Sequence, residues 1–145
     1  MLLPLRLLSW RITMSLRRIL IAVDDQPMSL RAAELGAELG RAVGGEIALI
    51  NVVDVRAEFD RSELQSRSFL SHLRDCFLLP PAAHDFAEIG IPAPTIVEKA
   101  KQWSADVVVM ASHGRAGVPR VLFGSVAEEV MRHAPCPVLV ERAQP

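Results

Sequence analysis

The sequence predicts an α/β protein built on a doubly wound parallel sheet with helices on both faces. Three observations predict it. From Arg18 onward, short continuous apolar runs alternate with helical patterns, and strands covered on both faces read as such runs. The alternation repeats as β-α-β-α-β-α-β-α-β, the order that crossover helices between parallel strands impose. The 145 residues suit a single domain with a sizeable core.

The first strand is Ile19–Val23, which ends at Asp24-Asp25. In the helix that follows, Met28, Ala32, Leu35, Leu39 and Ala42 recur at steps of four and three and form one apolar stripe. Arg31, Glu34, Glu38 and Arg41 fall opposite it. Pro27 suits the first turn and Gly44-Gly45 the stop. The second strand is Ile47–Val53, closed by Asp54. Ser62–Leu79 reads as a second helix with Leu70, Leu73 and Phe77 on one side, ended by Pro80-Pro81. His84–Ile89 is the third strand, bounded by Gly90-Ile91-Pro92. A third helix has Pro94 near its start and turns Ile96, Ala100 and Trp103 inward, with Trp103 expected to plug the core beneath it. Asp106–Ala111 holds the fourth strand, Val107-Val108-Val109-Met110. A glycine-containing loop spans Ser112 to Gly124. Ser125–Arg132 is the fourth helix, stopped by Pro135, and Pro137–Val140 the last strand.

Half the residues are hydrophobic and the formal net charge is −1. That balance fits a soluble globular chain and argues against a general attraction to nucleic acid. Cys76 and Cys136 are too few for a disulfide framework and belong to no metal-ligand spacing, so both read as buried thiols in a reducing, cytoplasmic compartment. His72, His84 and His133 are scattered and suggest no metal site. Met1–Thr13 is apolar with two arginines, too short and interrupted to span a membrane. Three readings of it stay open: a surplus leader before a true start at Met14, an amphipathic segment resting on a partner or membrane surface, or a helix packed on the domain. The domain proper is then 14–145.

Ligands of doubly wound sheets bind at the carboxyl ends of strands. The segment after the fourth strand reads Ala111-Ser112-His113-Gly114-Arg115-Ala116-Gly117, then VPRVLF, then Gly124-Ser125. Glycines let a backbone approach a ligand closely, and a helix opening at Gly124-Ser125 offers N–H groups and the positive end of its dipole to a phosphate. The same residues also serve as plain turns and a plain helix cap. The loop is neither a P-loop nor a GxGxxG motif. His113, Arg115 and Arg120 are candidate phosphate contacts, although histidines and arginines are also common on solvated surfaces.

The tail ADVVVMASHGRAGVPRVLFGSVAEEVMRHAPCPVLV resembles the C-terminal signature of the universal stress protein family. RRILIAVDD resembles that family's first strand and IALINVVD its second. The resemblance covers Leu16 to Arg142. It implies a five-stranded parallel sheet of order 3-2-1-4-5 and a cytoplasmic stress-response regulator. It also implies binding of ATP or a related adenine nucleotide, with Mg²⁺ as a possible companion. Nucleotide-binding members carry Gly-x2-Gly-x9-Gly-Ser/Thr. Gly114, Gly124 and Ser125 match its later positions, and Ala111 stands at the first. By resemblance Asp24 meets the adenosine moiety, the Val52 backbone reads adenine and the Val126 N–H reaches phosphate. Met110 belongs to the same nucleotide-binding set. Two further departures are Asp25-Gln26, where the family commonly has Gly-Ser, and Ile91, where it often has aspartate.

No Ser-His-Asp or Cys-His arrangement can be argued from spacing, and nothing in the loop resembles phosphoryl-transfer machinery. Catalysis is therefore expected to be at most slow ATP hydrolysis or autophosphorylation. The last strand is expected at a sheet edge, where a bare apolar edge pairs with another copy; the resemblance also implies a homodimer through Pro137–Val140. The competing reading is a dimeric interaction module of the same fold that binds no nucleotide.

Overall fold

The computed structural model describes residues 15–57, 62–112 and 124–142. Five strands and four helices alternate along them: β1 (Arg18–Ala22), α1 (Pro27–Val43), β2 (Glu46–Asp54), α2 (Glu63–Cys76), β3 (His84–Gly90), α3 (Pro92–Gln102), β4 (Val107–Ser112), α4 (Ser125–His133) and β5 (Val138–Arg142). The strands form one sheet of order β3-β2-β1-β4-β5. Every pairing is parallel, with Ile19 beside Ile47 and Val107, and Val108 beside Val138. β3 pairs with β2 along its whole length, from Ala48–His84 to Asp54–Gly90. The expected fold class and strand order hold.

Alternation along each strand divides the core. Ile19 and Ile21 of β1, and Val23 just after it, face α1 and α2 with Leu49, Leu70, Leu73 and Val109. Leu20 and Ala22 face α3 and α4 with Ile50, Ile96, Val108 and Val130. Burial on both faces explains why the strands read as unbroken apolar runs.

The buried face of α1 differs from the expected stripe. Its buried residues are Ser29, Ala32, Ala33, Gly36, Ala37 and Gly40. Met28, Leu35 and Leu39 pack only partly against the core, and Ala42 is exposed. A close approach to the sheet is the reason. A Cβ on Gly36 would lie 2.5 Å from Ile21 Cδ1, and one on Gly40 would lie 2.5 Å from Ile47 Cδ1. Pro27 opens the helix and Gly44 closes it at φ 62°, in the left-handed conformation that suits glycine. α2 is shorter than expected and opens on a capping box between Ser62 and Gln65. Its Leu70 and Leu73 are buried, and Phe77 packs against the same core. α3 starts at Pro92, which puts Pro94 in its first turn as expected. β5 starts one residue later than expected, because Pro137 lacks an N–H; its carbonyl accepts from the Val108 N–H at 3.0 Å.

Two further expectations are corrected. Trp103 packs against the α3–α4 core from its margin without being buried in it. It ends α3 half-buried, edge-on to His84 and Phe86, with the Arg18 guanidinium 5.9 Å from its ring centre. The cysteines are not buried thiols: Cys76 is exposed and Cys136 half-buried. Met1–Met14 lie outside the described residues. Among the described residues no helix is long and apolar enough to cross a membrane.

Candidate functional site

The carboxyl ends of β1, β2 and β4 meet the amino ends of α3 and α4 around a cleft of about 520 Å³. This is the end of a doubly wound sheet where ligands bind, beside the point where strand order reverses. Asp24, Val52, Met110, Ala111, Gly124, Ser125 and Val126 all line it. His113, Gly114, Arg115 and Arg120, also expected at the site, lie outside the described residues.

Each lining residue arrives by a local rule. Asp24 follows β1, where the chain leaves the sheet for α1; its Oδ1 accepts from the Gln26 N–H at 2.9 Å, a local turn that orients the carboxylate. Val52 and Met110 sit near the ends of β2 and β4 on the α3–α4 side and, with Ile50 and Ile96, form an apolar wall. Gly124 precedes α4 in an extended conformation, and no side chain caps this helix. The first N–H groups of α4, at Ser125 and beyond, therefore present the positive end of its dipole to the cleft. The Gly124 N–H itself donates to Ser112 Oγ at 3.1 Å, joining the two ends of the loop.

Ala111 packs with Val107 and Val109 in the core under α1 while bordering the cleft. Its methyl group belongs to the packed face of the sheet. Asp25 is exposed and absent from the lining, so the second acid beside Asp24 does not add its charge to the cleft wall. Ile91 is likewise exposed, and Pro92 takes the place at the cleft. Asp54, the acid closing β2, turns to Arg56. Paired hydrogen bonds of 2.9 Å from that guanidinium hold its carboxyl below the usual range.

The lining residues that the sequence reading does not mark are Ala22, Val23, Ser29, Ile50, Pro92, Ile96, Ala127 and Glu128. Ser29 was signalled by a polar residue beside the apolar stripe of α1. Glu128 had no sequence signal as a cleft residue; its carboxylate is paired with Arg132 Nη2 at 3.0 Å. Among the described residues no group of three or more metal-ligating side chains occurs.

The geometry combines an apolar wall, one strand-end carboxylate and an uncapped helix amino terminus. Such a cleft can hold a flat apolar group at one end and an anion at the other.

Comparison with known proteins agrees with the fold. The sequence profile of the universal stress protein family matches residues 15–142. A universal stress protein of Methanocaldococcus jannaschii is 34% identical over 137 residues, covering 86% of this chain and 81% of its own. Among solved structures, a universal stress protein in complex with cAMP superposes with a TM-score of 0.70 at 20% identity, covering 90% of this chain and 99% of its own. The universal stress protein of Archaeoglobus fulgidus in complex with dAMP gives 0.59 at 22% identity, covering 86% and 96%. The structural likeness carries the fold, and the profile carries the lineage from the residues before β1 to the end of β5: the chain belongs to the universal stress protein family.

Proposed function

We propose that this protein is a cytoplasmic stress-response regulator that binds ATP or a related adenine nucleotide in the cleft between β1, β4 and α4. The observation that carries the reading is the convergence of Asp24, Val52 and the Gly124-Ser125-Val126 helix opening on one cleft of about 520 Å³. Adenine would lie against the apolar wall of Ile50, Val52 and Ile96, within reach of the Val52 backbone. Asp24 would accept from ribose hydroxyls, and the phosphates would meet the amino end of α4. Mg²⁺ would enter with the triphosphate, whose oxygens it prefers. Similar structures that hold cAMP and dAMP support an adenine nucleotide as the ligand class. The proposal assigns no catalytic residue, and any turnover of ATP is slow.

The rival reading, a module of the same fold that takes no nucleotide, drew on Ala111 and Asp25. Packing of Ala111 under α1 and the absence of Asp25 from the lining favour the nucleotide. Calorimetric titration of the full chain with ATP and Mg²⁺ tests the proposal. Binding is expected, and no heat at millimolar nucleotide from folded protein would overturn it. Gly124→Val places a branched side chain at the helix opening; the backbone there, at φ −67° and ψ 157°, accepts it. Affinity is expected to fall at least about tenfold with the fold intact.

A further inference from the structure

Among the described residues the buried polar side chains are Ser29, Asn51, Ser66 and Ser112. All four stand at the carboxyl end of the sheet, in the opening turns of α1 and α2 or near the ends of β2 and β4. Elsewhere the core is apolar. Buried polar groups in a small domain cost stability unless they are hydrogen-bonded, so their gathering at one end calls for a reason.

Three of them converge on a single peptide group. The carbonyl of Val23 accepts from Asn51 Nδ2 at 2.8 Å. The N–H of the same peptide, that of Asp24, donates to Ser29 Oγ at 2.7 Å. Asn51 is in turn oriented from α2, because Ser66 Oγ donates to Asn51 Oδ1 at 2.6 Å. The Val23 carbonyl fixes which end of the Asn51 amide faces it, since only the NH₂ can donate to a carbonyl, and the Ser66 hydroxyl then donates to the oxygen left over. One peptide plane is thus clamped through both its donor and its acceptor by side chains from α1 and β2, and α2 locks the second clamp. The peptide leads directly to Asp24, which lines the cleft.

We infer that Ser66, Asn51 and Ser29 form a positioning relay that sets the Val23–Asp24 peptide and so aims the Asp24 carboxylate into the cleft. Neither Ser66 nor Asn51 lines the cleft, and their hydrogen bonds lead to Val23, which does. For nucleotide affinity, the inference rests on the reading of the cleft proposed above. For the placement of the Asp24 backbone it stands on the hydrogen bonds alone.

The test uses the full chain with ¹⁵N labelling. The amide resonance of Asp24 in the folded protein is expected to move in Ser29→Ala and also in Ser66→Ala, although Ser66 does not touch Asp24. Ser68→Ala, an exposed change on the same helix, should leave it in place. A purely structural role for Ser66 would lower stability without moving a native-state resonance at Asp24. ATP affinity in both relay variants is expected to fall by up to about tenfold, the worth of one well-made hydrogen bond. If Ser66→Ala does not fold, Ser66→Cys, slightly larger and with a weaker donor, fills the site and is read the same way. An unmoved Asp24 resonance in the folded Ser66 variant would overturn the relay. So would unchanged ATP affinity in a setting where the unaltered protein binds ATP. If the unaltered protein binds no ATP while the Asp24 resonance moves, the nucleotide reading fails and the relay stands.

Discussion

Cys76 and Cys136 show how one residue type takes two characters in one small fold. Cys76 is exposed in the last turn of α2, with its Sγ 3.5 Å from His72 Nε2. Cys136 is half-buried between α4 and β5, and burial pushes its thiol above the ordinary range. Thiolate is the reactive form, so the two should react in order. Brief treatment of the folded protein with iodoacetamide at a pH of about 8, near the ordinary thiol pKa, is expected to modify Cys76 first, with Cys136 following only on unfolding. Peptide mass mapping that finds Cys136 modified first would refute this. Sequence reading made both thiols buried because cysteine is commonly buried. Cys76 escapes because it falls on the solvent side of α2, away from Leu70 and Leu73.

At the scale of elements, α1 separates what periodicity reports from what packing selects. A stripe of Met28, Leu35 and Leu39 is the larger apolar signal, yet the helix sits on its small residues. Gly36 and Gly40 let the helix axis approach Ile21 and Ile47 so closely that a methyl group has no space. Gly36→Val is therefore expected to overpack the core and cost about 2 kcal/mol, despite the backbone entropy that removing a helical glycine recovers. Chemical denaturation measures the change; an equal or raised midpoint would refute the close approach. The existence and order of all nine elements were legible in the sequence, because apolar runs and Pro/Gly punctuation mark them. The buried face of α1 was not, since hydrophobicity scales weigh large residues and glycine carries no signal for proximity.

At the scale of the molecule, β5 ends the sheet and pairs with β4 on one side only. Val138 and Val140 turn into the core of the α4 side, whereas Leu139 stays 39% exposed. Arg31 of α1 ties Glu141 of the same strand at 3.3 Å. An apolar edge of this kind is a template for a second copy, and the homodimer that the sequence resemblance implies through this strand would place Leu139 at the join. Sedimentation is expected to show a dimer for the unaltered chain and a monomer for Leu139→Lys. A Leu139→Lys protein that remains dimeric would rule out this edge as the interface.

The sequence by itself determined the α/β class, the alternation of elements and the family signature, including seven of the residues that line the cleft. These are local properties: strand runs, helix punctuation and a strand-loop-helix motif each lie within a short stretch of chain. Only the tertiary structure decided that Ala111 packs under α1, that Asp25 stands outside the cleft wall, and that Ser29 and Glu128 stand inside it. It alone brought Asn51 and Ser66 to the peptide before Asp24. Such contacts join residues far apart in sequence, and hydrogen-bond partners chosen by three-dimensional proximity leave no period or spacing along the chain to be read.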